Sequence, residues 1–272
     1  MPTPDTDKVS NYIREVAAEK ILPRFRQLES HEIDTKTGPS DLVTVADIEA
    51  EQALTKILKD ILPGSYVVGE EAVSQGTSDM SRLKDEEGAV WVIDPVDGTS
   101  NFVHGKPVFG TMVALCRKRE TTHSWIFDIP GERMGAAEKG SGTYMDDRKI
   151  KLSGVTKNLS NMTGFVSTKF VPKSFRPEIQ KRVEIFKEAS ALFCCAHEYL
   201  ALAEGKRDFS FYSRIRPWDH LPGALIFAEA GGYSGKWDGS LYGPGDETGG
   251  LINAPDAETW KELKTVFLDG LI

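Results

Sequence analysis

Apolar positions at helical spacing mark the first segment of the chain. Val9, Tyr12, Ile13, Val16, Ala17 and Ile21 recur every three or four residues, so residues 7–28 read as an amphipathic helix that Pro23 kinks or stops. DLVTVAD (41–47) is a short extended piece. A second helix follows, in which Ala53, Leu54, Ile57, Leu58 and Ile61 repeat the same step until Pro63 and Gly64 end it. In SYVVGEEA the pattern becomes extended, and a short strand leads to Glu70 and Glu71. Residues 72–88 are polar and are expected to loop. Trp91, Val92 and Ile93 then form an apolar strand that runs into Asp94.

From 108 to 153, strand-like runs alternate with turns punctuated by Gly131, Gly140 and Gly142. The second half opens with a strand around NMTGFVST, followed by helices near 176–188 and 191–204. WDHLPGALIFAEAGG (218–232) reads as a helix closed by Gly231 and Gly232, and a last helix covers 256–268. Alternation of helices and strands in both halves predicts a layered α/β or α+β architecture. The expected seam lies near residue 150, dividing the chain into units 1–150 and 151–272.

Composition narrows the class. The chain has 272 residues, 40% apolar and 27% charged, which suits an ordinary folded core. A net charge of −8 argues against nucleic acid as principal partner, because no basic excess can release counterions. The polar start, MPTPDTDKVSNY, has no apolar signal core, and no apolar run approaches the ~18 residues of a membrane span. The three cysteines, Cys116, Cys194 and Cys195, are odd in number and two are adjacent. A disulfide framework is not expected. A reducing, cytoplasmic setting without membrane contact is.

The candidate chemistry is concentrated in WVIDPVDGTSNF (91–102). An apolar strand meets Asp94, the rigid Pro95 follows, and Asp97 comes two residues later. Gly98, Thr99, Ser100 and Asn101 suit a tight turn opening a helix. Two carboxylates followed by free backbone N–H groups can hold hard cations beside a phosphate. Glu70 follows another strand, and Asp219 sits near the start of a helix over a hundred residues later. Each acid also has a plainer reading. Asp219 complements a helix dipole, Glu70 and Glu71 are solvated, and Asp94 and Asp97 shape a turn.

Taken together, VVGEE (67–71), WVIDPVDGTSNF and WDHLPGALIFAEAGG, with DLVTVAD upstream, resemble the inositol monophosphatase family of metal-dependent, lithium-sensitive phosphatases. The similarity extends from about residue 9 to residue 254. It implies a layered αβαβα sandwich related to the fructose-1,6-bisphosphatases, a homodimer, and two to three Mg²⁺ ions, replaceable by Mn²⁺, where the two halves meet. By that resemblance Glu70, Asp94 and the Val96 carbonyl hold one ion, and Asp94, Asp97 and Asp219 hold a second. A third, weaker ion lies near Glu70. Gly98 and Thr99 offer N–H groups to the phosphate, beside Asp97 and Asp219. Asp47 and Thr99 orient the attacking water, with Glu70 as the third catalytic residue. Ester hydrolysis needs a nucleophilic water and a stabilised leaving alkoxide. Paired cations supply both, and carboxylate, carbonyl and water oxygens suit Mg²⁺.

The chain departs from the family where the leaving group should rest. Phe193, Cys194 and Cys195 stand in place of a Gly-Ser/Thr-Ala word, with His197 and Glu198 close behind. Phe211, Tyr212 and Ser213 replace an acid found before the WD pair in inositol-preferring members, and Arg214 and Arg216 add positive charge. The expected activity is hydrolysis of inositol monophosphate or a related sugar phosphate, with altered preference. Fructose 1,6-bisphosphate, histidinol phosphate and 3′-phosphoadenosine 5′-phosphate are the alternative substrates. A regulatory binding protein on the same fold is the alternative class. Ser100 after DGT favours the inositol monophosphatase branch over branches that carry lysine or arginine there. Lys36 reads equally as a solvated lysine or as one near the site. His104, His220, Cys194 and Cys195 read as structural.

Overall fold

The computed structural model describes residues 3–38, 41–154, 156 and 158–272. In chain order the first half contains α1 (Thr6–Val16), β1 (Ile33–Thr35), β2 (Leu42–Thr44), α2 (Val45–Ile61), β3 (Tyr66–Gly69), α3 (Glu70–Ser74), β4 (Ala89–Asp97) and α4 (Thr99–Val103). Five strands follow: β5 (Gly110–Arg117), β6 (Glu120–Asp128), β7 (Arg133–Glu138), β8 (Gly142–Met145) and β9 (Arg148–Ile150). The remainder is β10 (Thr163–Val166), α5 (Arg176–Val183), β11 (Glu188–Ser190), α6 (Cys195–Ala203), β12 (Phe209–Tyr212), α7 (Pro217–Glu229), β13 (Tyr233–Lys236), β14 (Leu251–Ala254) and α8 (Ala257–Leu268).

A seven-stranded sheet runs in the order β3-β4-β5-β6-β7-β8-β9, antiparallel except for the parallel pair β3–β4. A five-stranded mixed sheet has the order β11-β10-β12-β14-β13. Side chains alternate across the first sheet with period two. Trp91, Ile93, Val113, Leu115, Trp125 and Phe127 pack beneath the apolar stripes of α1 and α2. From the opposite face, Met112, Ile126 and Ala137 meet Tyr199, Leu200, Leu225 and Ile226 of α6 and α7. Those helices also cover Phe165, Tyr212 and Leu251 of the second sheet. Its far face buries Phe209, Phe211 and Ile252 against Ile179, Trp260, Leu263 and Phe267 of α5 and α8. The layers are therefore α1/α2, sheet, α6/α7, sheet, α5/α8: the αβαβα sandwich.

Several local expectations change. The first helix is regular only to Val16. It continues as a π turn (Ala17–Ile21) and a 3-10 turn (Leu22–Arg24) and stops there, because Pro23 has no N–H to donate. The polar stretch 72–88 is not all loop, since a 3-10 turn at Met80–Lys84 buries Leu83. The helix expected at 191–204 begins only at Cys195. A short parallel strand, β11, precedes it, and β12 was not anticipated. Both strands are too short to show an alternating pattern.

Candidate active site

Four segments bring the candidate carboxylates together. Strand β3 ends at Gly69 and delivers Glu70 to the first turn of α3. A Cβ at residue 69 would lie 2.3 Å from the Glu51 carboxyl carbon, so any side chain there would displace that carboxylate. The Glu51 carboxylate accepts the N–H groups of Glu71 and Ala72 at 2.7 and 2.8 Å, fixing the start of α3. Asp94 lies within β4 rather than at its end. The register shifts between Asp94 and Asp97, a bulge that turns both carboxylates toward the same cavity. Gly98, at φ +86°, then reverses the chain into α4, and a side chain there would meet the Val108 carbonyl at 2.8 Å. Asp219 enters from the other side on the first turn of α7.

Carboxylate oxygens of Glu70, Asp94 and Asp219 all lie within 4.8 Å of one another. Asp94 is 2% exposed, and its Oδ1 has no hydrogen-bond partner. An orphaned buried carboxylate oxygen facing two other acids is costly unless a cation completes it. Burial, then the charges of Glu70, Asp97 and Asp219, hold Asp94 well above the usual carboxylate range. Burial, then Glu70 and Asp97, push Asp219 up to about 8. The donors are all oxygen, which suits a hard divalent cation. Cys195, Asp219 and His220 also approach one another. However, the His220 ring nitrogens are engaged by the Tyr199 hydroxyl (3.1 Å) and the Arg214 carbonyl (3.0 Å). Burial holds that imidazole neutral, with its pKa lowered to about 4. Both ring nitrogens of His220 are thus engaged within the protein, although the residue lines the cavity.

Asp97 does not share that cluster of three. Its Oδ2 accepts the Ala196 N–H at 2.6 Å and lies 3.1 Å from the Cys194 thiol. Burial, opposed by those two hydrogen bonds, leaves it at about 6. Cys194 is thus a donor to a site carboxylate and not core packing alone, a role that only its neighbourhood reveals. Thr99 Oγ1 lies 3.0 Å from Asp47 Oδ1 and 2.9 Å from the Val96 carbonyl. Asp47 is 1% exposed and forms the capping box of α2, its Oδ2 accepting from the Thr44 N–H (2.8 Å) and hydroxyl (2.5 Å). Burial, opposed by the Thr44 bonds, raises it to about 6.

Lys36 is not a solvated lysine. Its ammonium reaches Glu70 at 2.7 Å and Glu71 at 2.6 Å, and its side chain is 7% exposed. Burial works to discharge it, but the two carboxylates outweigh burial and raise its pKa. Burial and Glu70 in turn push Glu71 up to about 8. The cavity lined by Glu70, Asp94, Asp97, Thr99 and Asp219 measures about 490 Å³. Phe170, Phe193, Cys195, Glu198, Tyr212, Lys106, Lys169 and Arg214 also line it. Arg216 does not line it; the residue is the N-cap of α7.

Comparison with known proteins agrees with this geometry. The sequence profile of the inositol monophosphatase family matches residues 5–267. Inositol-1-monophosphatase of Bacillus subtilis is 31% identical over 75% of this chain and 76% of its own length. The chloroplastic bifunctional phosphatase IMPL2 of Arabidopsis thaliana is 32% identical over 86% of this chain and 65% of its own. The solved Thermotoga maritima IMPase superposes with a TM-score of 0.80 at 25% identity, covering 96% of both chains. The chain belongs to the inositol monophosphatase family, whose metal-dependent enzymes hydrolyse phosphoric monoesters.

Proposed function

We propose that this phosphatase hydrolyses inositol monophosphate or a related sugar phosphate with Mg²⁺ held by Glu70, Asp94, Asp97, Asp219 and the Val96 carbonyl. The observation that carries the reading is the unpaired buried Asp94 Oδ1 amid Glu70 and Asp219. Most of the ligands come from the N-terminal half of the chain. Asp219 and the leaving-group wall come from the C-terminal half. When bound, the cations supply a lowered water pKa and neutralise charge on the phosphate and the departing oxygen.

The protein's own groups do the positioning. Asp47 accepts the Thr99 hydroxyl proton, which leaves the Thr99 oxygen lone pairs to accept from the attacking water. Held on its far oxygen by Thr44, Asp47 keeps that orientation fixed. The N–H groups of Gly98 and Thr99 receive the phosphate where the chain reverses into α4. The Cys194 thiol and Ala196 N–H hold Asp97 in place from the second half. The test is phosphate release from inositol 1-phosphate and other monoesters, with and without Mg²⁺. Turnover should require Mg²⁺ and be nearly abolished in Asp94→Asn with the fold intact. Full activity in that variant would refute the assignment.

A further inference from the structure

Glu70, Asp94, Asp97 and Asp219 line the cavity, and the buried ammonium of Lys36 behind Glu70 is spent on Glu70 and Glu71. The same cavity also holds cations. Lys106, Lys169 and Arg214 line it, and among the described residues none of the three lies within salt-bridge distance of a carboxylate, although Asp41 and Asp219 feel the charge of Arg214. The guanidinium of Arg214 lies 3.7 Å over the Phe170 ring, and Lys169 Nζ lies 5.1 Å from it. Stacking fixes the guanidinium plane and leaves its edge N–H donors unspent. Asp41 also borders the cavity, where its carboxylate takes the Thr37 hydroxyl at 2.5 Å and faces the charge of Arg214 without a direct contact. In a chain of net charge −8, three cations lining one cavity without a direct salt-bridge partner are not a by-product of a basic surface.

The aromatic rings beside these cations are also exposed. Phe170 is 43% and Phe193 60% exposed, and Phe193 sits at φ +55°, a conformation bulky residues rarely adopt. Strain retained at a pocket rim points to use there.

We propose that the leaving group of this enzyme's ester carries a second phosphate, received by Lys169 and Arg214 in the cavity that the carboxylate cluster also lines. The inference rests on the phosphatase reading above and names its substrate class, a bisphosphate. An arginine edge receives a phosphate bidentately, and a lysine adds a point charge. A sugar bisphosphate or a nucleoside bisphosphate supplies that chemistry, and the rings of Phe170 and Phe193 can pack on either.

The test pairs each bisphosphate with its monoester, in Mg²⁺: fructose 1,6-bisphosphate with fructose 1-phosphate, and adenosine 3′,5′-bisphosphate with adenosine 3′-phosphate. In at least one pair, kcat/KM should favour the bisphosphate by about tenfold or more, and that pair identifies the source. Lys169→Gln combined with Arg214→Gln should lower this ratio by about tenfold or more. A ratio near one in both pairs, or one unchanged in the double variant, overturns the proposal. Calorimetric binding of the bisphosphates in an Asp94→Asn background reads the subsite without turnover. Affinity there should fall by about tenfold or more with the two glutamines. Absence of hydrolysis of every ester would contradict the phosphatase reading, while the calorimetry would still decide the subsite.

Discussion

Without divalent cations the protein should lose stability as pH rises from 6.5 to 8, and Mg²⁺ should remove that loss. Oxygens of Glu70, Asp94 and Asp219 lie within 4.8 Å of one another. Two unit charges at that spacing repel by roughly 332/(20 × 4.8), or about 3.5 kcal/mol, at an effective dielectric constant of about 20. Three such pairs exceed what one ammonium at 2.7 Å from Glu70 offsets. The cation-free cluster therefore keeps a proton near neutrality, in line with Asp219 pushed up to about 8 by burial, Glu70 and Asp97. An unfolded aspartate titrates near ~3.9, so between those values the folded state binds more protons than the unfolded one. Stability then falls as pH rises, by about 1.4 kcal/mol per unit for each retained proton. Over 1.5 pH units the loss is about 2 kcal/mol, and roughly half that once screening at the part-open Asp219 is allowed for. In a chain of this size the Tm should drop by about 2–8 °C. His220, held down to about 4 by burial, gives an opposite slope only below its ordinary value of 6.5. Glu71, raised to about 8, adds to the expected slope, so the Mg²⁺-dependent difference isolates the cluster. Differential scanning calorimetry in EDTA and in Mg²⁺, across this window, reads it directly. A cation-free Tm that stays flat or rises, or a Mg²⁺ shift equal at every pH, refutes the reasoning.

Thr99→Ala removes the hydroxyl held by Asp47 and should lower kcat by about 10²–10⁴-fold with little change in Tm; undiminished turnover would take Thr99 out of the chemistry. Phe193→Gly should raise stability by about 1 kcal/mol in urea titration, because the ring is 60% exposed and glycine tolerates φ +55° without strain. Equal or lower stability would show that the ring's packing outweighs the backbone cost.

Much of this architecture was legible because long periodic segments carry it. The stripe of Val9, Ile13 and Val16, the step through Leu54 and Leu58, and the glycine-closed α7 all appear where their spacing indicated. Strands β11 and β12 were missed because three or four residues cannot establish a period, and their pairing partners lie far away in sequence. Asp94, Glu70 and Asp219 converge as their motifs implied. The grip of Lys36 on Glu70 and Glu71 spans 34 and 35 residues, and the contact of Cys194 with Asp97 spans 97. Neither leaves a local pattern. Arg214 and Arg216 look alike in the sequence, yet only Arg214 lines the cavity, while Arg216 is the N-cap of α7.

The central claim is that Glu70, Asp94, Asp97 and Asp219 form a divalent-cation site. Crystals soaked in Mn²⁺ and measured for anomalous scattering test it most directly. Peaks should lie beside Asp94 Oδ1, between Glu70 and Asp219, and should vanish in Asp94→Asn. Peaks only elsewhere, or a peak undiminished in that variant, would contradict the account.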